Sequence, residues 1–190
     1  MEKKLFLPLL LGTNREGRQS ELAAQFVLKK TKERESIETE LIDVRDFTFP
    51  KDNYGDASYG NLAGWQKTMA RADGLIIVTP EYNHGYPGVL KSLLDVALKE
   101  YRHKVLSIVG VSARPWGASV AIEQLAGVAK ELGFVITKRA LQFPEAQDLF
   151  NEQGSVKDKA YEEHVKNFLD EMEWMATALK WGRENLASNE

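Results

Sequence analysis

Apolar runs alternate along the chain with segments in which apolar residues recur at helical spacing. The run over residues 5–11 predicts a first strand, and the spacing over residues 20–33 predicts a helix that Ser20 can cap. Further strands are predicted over residues 39–44, 74–79, 104–111 and 134–141. Further helices are predicted over residues 62–72, from about Pro87, over 117–133 and from 157 to about 185.

Strands that are separated by helices along the whole chain are typical of α/β proteins with a parallel sheet. Five such strands in 190 residues favour a flavodoxin-like, doubly wound sheet in the order 2-1-3-4-5, followed by a long C-terminal helix. Pro8 falls within the first strand, where its missing N–H would cost a ladder hydrogen bond. It therefore lies at a strand end or bulge, or the strand begins at Leu9. With no internal repeat or low-complexity linker, residues 1–190 are expected to form a single domain.

Charge and composition narrow the classes of partner. The net charge is −3 and no block of lysine and arginine occurs, which argues against nucleic acid or an anionic membrane as the main partner. The longest apolar run near the start is far shorter than the ~20 residues of a membrane-spanning helix. The chain has no cysteine, which excludes thiolate chemistry and disulfides and fits a cytoplasmic protein.

The loop over residues 12–20, between the first strand and the first helix, is a candidate phosphate site. Ligands of open α/β sheets bind at the carboxyl ends of the strands, where the sheet changes direction, and a helix N-terminus there attracts anions. Thr13 and Ser20 offer hydroxyls, and Arg15 or Arg18 offers charge-assisted donors. The loop lacks the Lys-Ser/Thr ending of a P-loop and the three-glycine dinucleotide pattern, so a monophosphate fits better. The alternative is an ordinary polar turn.

Two further loops follow the third and fourth strands and are expected to face the same cleft. Residues 79–88 contain two prolines and two glycines, which fix the backbone as a rigid ledge suited to a flat aromatic ligand. The alternative is a proline-rich turn whose tyrosines cover the surface. The other loop is residues 112–118. The three histidines show no metal-ligand spacing, so we assign no metal. No Gly-x-Ser-x-Gly elbow of a hydrolase occurs either, and we assign no catalytic side chain.

Residues 80–91 read P-E-Y-N-x-G-x-P-G-x-L-K, and residues 12–15 read G-T-x-R. Together these motifs resemble the NADPH-dependent FMN reductase family of flavodoxin-like proteins, over roughly residues 5–141. The resemblance implies that FMN is the cofactor and that its phosphate is held by Thr13, Arg15, Arg18 and Ser20. It also implies that the isoalloxazine lies against a ledge formed by Pro80, Glu81, Tyr82 and Asn83.

The loop over residues 112–118 would then border the flavin, with Ser112 among the contacts. Members of the family often carry S-x-G-x-x-G-G here, whereas this chain has Ala118 in place of the last glycine. That substitution puts the shape of the pyrimidine edge in question. Arg114, in the same loop, is a candidate for the 2′-phosphate of NADPH or a solvated surface residue.

The preferred hypothesis is an FMN enzyme that passes hydride from NADPH or NADH to a small acceptor such as a quinone, azo compound, flavin or metal oxyanion. The alternative is a non-enzymatic, flavodoxin-like electron carrier or an FMN-dependent interaction protein. Such carriers are usually strongly acidic around the flavin, so a net charge of −3 with arginines on the cleft loops favours the enzyme.

Self-association is a separate expectation. The resemblance implies a homodimer or homotetramer. In the last helix, an apolar stripe from Tyr161 to Leu179 is expected to pack on the sheet, while Trp174 and Trp181 lie off that stripe. These two tryptophans offer a second apolar surface for another subunit.

Overall fold

Strands and helices alternate throughout the computed structural model, which describes residues 4–52, 54–151 and 153–186. The strands are β1 (Leu5–Phe6), β2 (Leu9–Leu11), β3 (Ile37–Glu38), β4 (Leu41–Asp43), β5 (Gly74–Pro80), β6 (Val105–Val111), β7 (Val135–Ile136) and β8 (Leu141–Phe143). The helices are α1 (Ser20–Lys32), α2 (Leu62–Arg71), α3 (Gly88–Leu94), α4 (Ser119–Glu131), α5 (Ala146–Leu149) and α6 (Ala160–Asn185). Short 3-10 turns occupy Val44–Asp46 and Lys99–Tyr101.

All the strand pairs between these elements are parallel. Six strands form the main sheet in the order β4-β2-β5-β6-β7, with β8 also paired to β6, and β1 and β3 form a separate pair. The predicted flavodoxin-like α/β class, with a parallel sheet and helices, is confirmed. The prediction of five continuous strands in the order 2-1-3-4-5 was wrong, because the predicted first and last strands are each split in two and the main sheet contains six strands.

Local interruptions explain the difference in strand count. Pro8 lies between β1 and β2, where its missing N–H leaves no gap in the ladder, and its carbonyl still accepts from the N–H of Ile76 at 3.0 Å. The predicted last strand is broken between β7 and β8. There the hydroxyl of Thr137 donates to the Arg139 carbonyl at 3.3 Å, which is a local turn that competes with the ladder.

The sheet is buried on both faces because helices cover each side. Alternate residues of the first two strands point to opposite layers, so Leu9 and Leu11 join the cluster under α1 and α6, and Leu10 joins the cluster under α2, α3 and α4. The expected stripe of α6 packs on its own sheet, with Tyr161 through Ala176 contributing six buried side chains. No helix in the described part of the chain is long and apolar enough to cross a membrane.

Two predicted helix starts were displaced. Ser20 is the first residue of α1 and its side chain forms no capping hydrogen bond, so the expectation that it caps the helix was wrong. The helix predicted from Gly117 begins at Ser119 instead. Gly117 and Ala118 have φ angles of 55° and 65°, in the left-handed region, and a right-handed helix cannot pass through them.

The amino edge of the sheet is held by buried ionic contacts. Asp73 accepts hydrogen bonds from Lys180 at 2.9 Å and Arg183 at 2.7 Å, which tie α6 to the start of β5. Lys104 is buried and donates to the carbonyls of Met69 and Ala70 at the end of α2. A cavity of about 880 Å³ opens here, but these cations are committed to Asp73 and to helix-end carbonyls.

Burial, followed by the nearby charge of Arg183, lowers the pKa of Lys104 to about 8 from an ordinary 10.5. A lysine whose pKa falls on folding binds fewer protons in the native state, so the free energy of unfolding rises as the pH passes from about 8 to 10.5. We expect the free energy of unfolding of the wild type, relative to Lys104→Met, to increase by roughly 1 kcal/mol between about pH 7 and pH 9. Urea titrations at the two pH values measure it.

The matched control is Lys67→Met, which removes an exposed lysine of α2. Its difference from the wild type should stay constant over the same interval. A constant difference for Lys104→Met as well would show that Lys104 is not desolvated by the fold.

Candidate functional site

A cleft of about 410 Å³ lies at the carboxyl edge of the sheet, between the loops that follow β2, β5 and β6. Its volume is within the range of small-molecule sites. Seven of the nine residues predicted for the site line it, namely Arg15, Arg18, Ser20, Pro80, Glu81, Tyr82 and Ser112. Gly17, Gln19, Val111, Ala113 and Gln147 complete the lining, so the cleft is formed by the three loops together with Gln147 of α5.

Thr13 does not line the cleft but joins two of its loops from behind. Its side chain is fully buried, and its hydroxyl lies 2.8 Å from the phenolic oxygen of Tyr82. The same hydroxyl accepts from the backbone N–H of Arg15 at 3.3 Å. Thr13 therefore links the loop after β2 to the aromatic ledge after β5.

Arg18 lines the cleft, but its guanidinium is paired with Asp43, the last residue of β4. Its guanidinium forms a two-pronged ion pair with the Asp43 carboxylate and also donates to the Thr13 carbonyl oxygen. The Arg18 side chain is only 2% exposed. The prediction named Arg18 as a phosphate ligand, whereas the structure gives it these protein partners.

Asp43 was missed by sequence reasoning. Its only signal is an acidic residue at the carboxyl end of a predicted strand. Partial burial alone would raise the pKa of Asp43, but hydrogen bonds from Arg18 and Arg45 outweigh burial and hold the pKa well below its ordinary value. The carboxylate is therefore ionised, and its ion pair formed, throughout the neutral and mildly acidic range.

Ser20 carries the clearest sign of a missing polar partner. It is 2% exposed, and its hydroxyl is the one buried side-chain oxygen or nitrogen of the described residues that lacks a hydrogen bond. It lies in the first turn of α1, where backbone N–H groups and the helix dipole favour an anion. A phosphate group fits these donors together with exposed Arg15, which lines the same cleft.

Glu81 has a structural partner at the other side of the cleft. One oxygen of its carboxylate accepts from the backbone N–H groups of Val120 and Ala121, at 3.0 and 3.1 Å, in the first turn of α4. The negative charge also complements the positive end of that helix. Glu81 thus caps α4 and joins the ledge after β5 to the loop after β6.

A tight turn ends the ledge. Tyr82 and Gly85 exchange backbone hydrogen bonds of 2.8 and 3.0 Å across Asn83 and His84. Both of these central residues have positive φ angles, 50° and 62°, as a type I′ turn requires. Asn83 is exposed at the tip of this turn and does not line the cleft, unlike the neighbours with which it was predicted.

The loop after β6 is folded against its own strand. A Cβ on Gly110 would meet the Gly117 carbonyl oxygen, so the close approach of this loop requires glycine there. Ser112 lines the cleft, and its hydroxyl donates to the Arg114 carbonyl at 2.6 Å. The Trp116 side chain lies outside the lining and is 75% exposed.

The described residues include no group of three or more histidine, cysteine, aspartate or glutamate side chains that could hold a metal ion. Fold and cleft together define a flavodoxin-like α/β protein with a small-molecule-sized cleft at the carboxyl edge of its parallel sheet. The sequence profile described as NADPH-dependent FMN reductase matches residues 7–148, and the chain belongs to that family.

Three individual relatives share between 20% and 28% sequence identity with this chain. The chain is 28% identical over 138 residues to a 2-hydroxy-1,4-benzoquinone reductase from Burkholderia sp, covering 69% of this chain and 75% of that one. It is 27% identical over 169 residues to the NADH:(hydroxy)cinnamate reductase subunit CrdA of Vibrio ruber, covering 86% and 81%. The NAD(P)H:(acceptor) oxidoreductase FerB from Paracoccus denitrificans superposes with a TM-score of 0.78 at 20% identity, covering 92% and 98%. This structural similarity supports the assignment of the flavodoxin-like fold.

Membership of this family identifies the chain as an oxidoreductase that uses FMN with NAD(P)H as co-substrate. The expectation of an enzyme is therefore confirmed over that of a non-enzymatic carrier. The roles of individual residues in the cleft remain predictions.

The capping contact of Glu81 can be tested through stability. We expect Glu81→Gln to lower the free energy of unfolding by about 1 kcal/mol, because the charged acceptor at the N-terminus of α4 is lost. Chemical denaturation of the flavin-free protein measures this change. Glu123→Gln, at an exposed position of the same helix, is the control and should be neutral. Equal effects of the two variants would contradict a capping role.

Proposed function

We propose that the cleft binds FMN with the phosphate at the N-terminus of α1. The observation that carries this proposal is the buried Ser20 hydroxyl, which has no hydrogen-bond partner among the described residues and belongs to the same cleft lining as exposed Arg15. Leaving such a hydroxyl unsatisfied costs free energy, which a phosphate oxygen would recover. Arg15 supplies the charge-assisted contact, and Thr13 supports the loop from behind.

The isoalloxazine then lies along Pro80 and Tyr82, with Asn83 at the outer end of the ledge and Ser112 at the opposite side. Pro80 restricts the backbone, and the Tyr82 hydroxyl is held by Thr13, so the ledge is rigid before the cofactor arrives. Glu81 contributes by holding α4 in place. The flavin supplies the acceptance and onward transfer of hydride, while the protein supplies orientation.

The ledge and the loop over residues 112–118 enclose the flavin from one side and leave one face open. The nicotinamide and the acceptor therefore use the same face in turn, because hydride transfer needs the reacting atoms within about 3–3.5 Å. A quinone is the acceptor class that we favour, supported by the name of the Burkholderia relative. Azo compounds, flavins and metal oxyanions are also flat or small oxidants, so they suit the same open face of the flavin.

We further propose that residues 1–190 form one FMN-binding domain that acts in the cytoplasm as a homodimer or homotetramer. Trp174 and Trp181 support self-association, since they lie two turns apart on α6 and are 73% and 59% exposed. Large aromatic side chains on one helix face are typical of association surfaces.

Replacing the Ser20 hydroxyl should weaken FMN binding without lowering the stability of the flavin-free protein. Ser20→Ala is expected to leave the stability of the flavin-free protein unchanged or slightly raised, because no hydrogen bond is lost there. FMN affinity should fall roughly tenfold, since a bond to a charged phosphate is lost. Arg15→Ala should cost a similar or larger factor. Calorimetric titration with FMN measures both.

Riboflavin is the matched ligand control, because it lacks only the phosphate. Its affinity should not change in Ser20→Ala or Arg15→Ala. A parallel loss of riboflavin affinity, or unchanged FMN affinity in both variants, would place the phosphate elsewhere.

Use of one open face predicts ping-pong kinetics. Under anaerobic conditions, NADPH or NADH alone should bleach the flavin absorbance, and a quinone added afterwards should restore it. His84→Ala is the control, since this residue is exposed and outside the cleft, and both phases should persist. Absence of bleaching with either nucleotide would contradict the proposed route of hydride.

Self-association is tested by light scattering at micromolar concentrations. We expect a mass of at least twice 21.4 kDa. Trp174→Glu together with Trp181→Glu should reduce that mass toward the monomer, because charged residues cannot be buried cheaply in an apolar contact. A wild-type monomer, or an oligomer indifferent to both substitutions, would rule out this surface.

A further inference from the structure

Asp43 lies outside the cleft but is linked to the loop over residues 12–19, which we propose holds the phosphate. It ends β4, and its Cα is the parallel partner of Leu11, the last residue of β2, so it stands where the loop over residues 12–19 leaves the sheet. The cleft lining does not include Asp43. Among the contacts of the described residues, its side chain reaches this loop only through Arg18.

Arg18 passes this attachment on to the loop backbone. One of its terminal nitrogens lies 2.9 Å from the first carboxylate oxygen of Asp43 and also donates to the Thr13 carbonyl, while the other terminal nitrogen binds the second carboxylate oxygen. The remaining guanidinium nitrogen faces Glu21 at 3.4 Å. A planar guanidinium that is bound on all these sides is fixed in orientation as well as position.

The ion pair with Asp43 also makes the Arg18 guanidinium less available to bind a phosphate. Moving the buried guanidinium to a phosphate would leave the Asp43 carboxylate partly buried and without its inner partner, which is costly. Exposed Arg15 has no such attachment among the described ion pairs. The two arginines of the loop are therefore not equivalent.

We infer that Asp43 is a positioning residue for FMN: it fixes Arg18 against the Thr13 carbonyl, so that Arg18 shapes the phosphate loop and does not bind the phosphate. This inference rests on the proposed FMN site. This positioning role affects the preference for FMN over riboflavin, because the loop contacts the phosphate of FMN and not its ring. Disturbing Asp43 should reduce the preference for FMN over riboflavin and leave the binding of the ring largely intact.

The test titrates the full-length, flavin-free chain with FMN and with riboflavin. Asp43→Asn keeps the shape of the side chain but removes the charge that holds Arg18. If Arg18 is part of the loop framework, FMN affinity should fall roughly tenfold while riboflavin affinity stays nearly constant. Asp170→Asn is the control, because it removes a carboxylate that pairs with Arg34 away from the cleft. It should change neither affinity.

A double substitution separates the two roles of Arg18. If Asp43 acts through Arg18, then Arg18→Met should lower FMN affinity by a similar factor, and the double variant should be no weaker than either single variant. If Arg18 binds the phosphate directly, Asp43→Asn releases it, and FMN affinity should stay equal or rise while Arg18→Met alone lowers it. The second pattern overturns the inference.

Asp43→Glu covers the case in which the amide variant does not fold. It keeps the charge but moves it by one methylene, so a framework role predicts a reduced preference for FMN, and direct phosphate binding by Arg18 predicts an unchanged preference. Wild-type binding separates this inference from the proposed function. A wild type without preference for FMN over riboflavin contradicts the phosphate site itself, whereas a preference that survives in Asp43→Asn and Asp43→Glu contradicts only the role of Asp43.

Discussion

The partly buried ion pair between Arg18 and Asp43 is the constraint on which the arrangement of the cleft loops depends. It joins the loop after β2 to the neighbouring strand β4, and through the Thr13 carbonyl it fixes the residue whose hydroxyl meets Tyr82. Such a pair adds little to stability, because desolvation of both ions offsets much of their attraction. The ion pair instead fixes the orientation of the Arg18 guanidinium against the loop backbone. Since Glu81 also caps α4, three loops are connected to one another before any ligand enters.

The two edges of the sheet use charge in different ways. At the amino edge, Lys104 donates to helix-end carbonyls and Asp73 collects Lys180 and Arg183, so a large cavity contains cations that are already committed. At the carboxyl edge, Ser20 keeps a buried hydroxyl without a partner. The smaller cleft is therefore the better candidate for anion binding. Cavity size alone would favour the amino edge, but volume carries no information about unsatisfied polar groups.

The parallel α/β class and the convergence of three loops were predictable because strand ends and glycine-rich or proline-rich loops are local features of the sequence. Pro8 also marked its own interruption of the first strand. The break between β7 and β8 was not visible in the sequence, from which residues 134–141 are predicted as one strand. The hydrogen bond of the Thr137 hydroxyl to the Arg139 carbonyl at this break is seen only in the structure. Asp43, which pairs with Arg18, lies 25 residues away in the sequence, and the N–H groups of α4 that donate to Glu81 lie 39 and 40 residues away. A sequence shows that these side chains are charged, but tertiary contacts decide whether they face a ligand or hold the backbone.

We propose that the phosphate site is formed before FMN binds and that Arg18 belongs to its framework. The decisive experiment is a crystal structure of the chain with FMN bound. We expect a phosphate oxygen within hydrogen-bonding distance of the Ser20 hydroxyl, with the guanidinium of Arg18 still paired to Asp43. A structure in which Arg18 has left Asp43 to bind the phosphate, or in which the phosphate lies away from the N-terminus of α1, would contradict it.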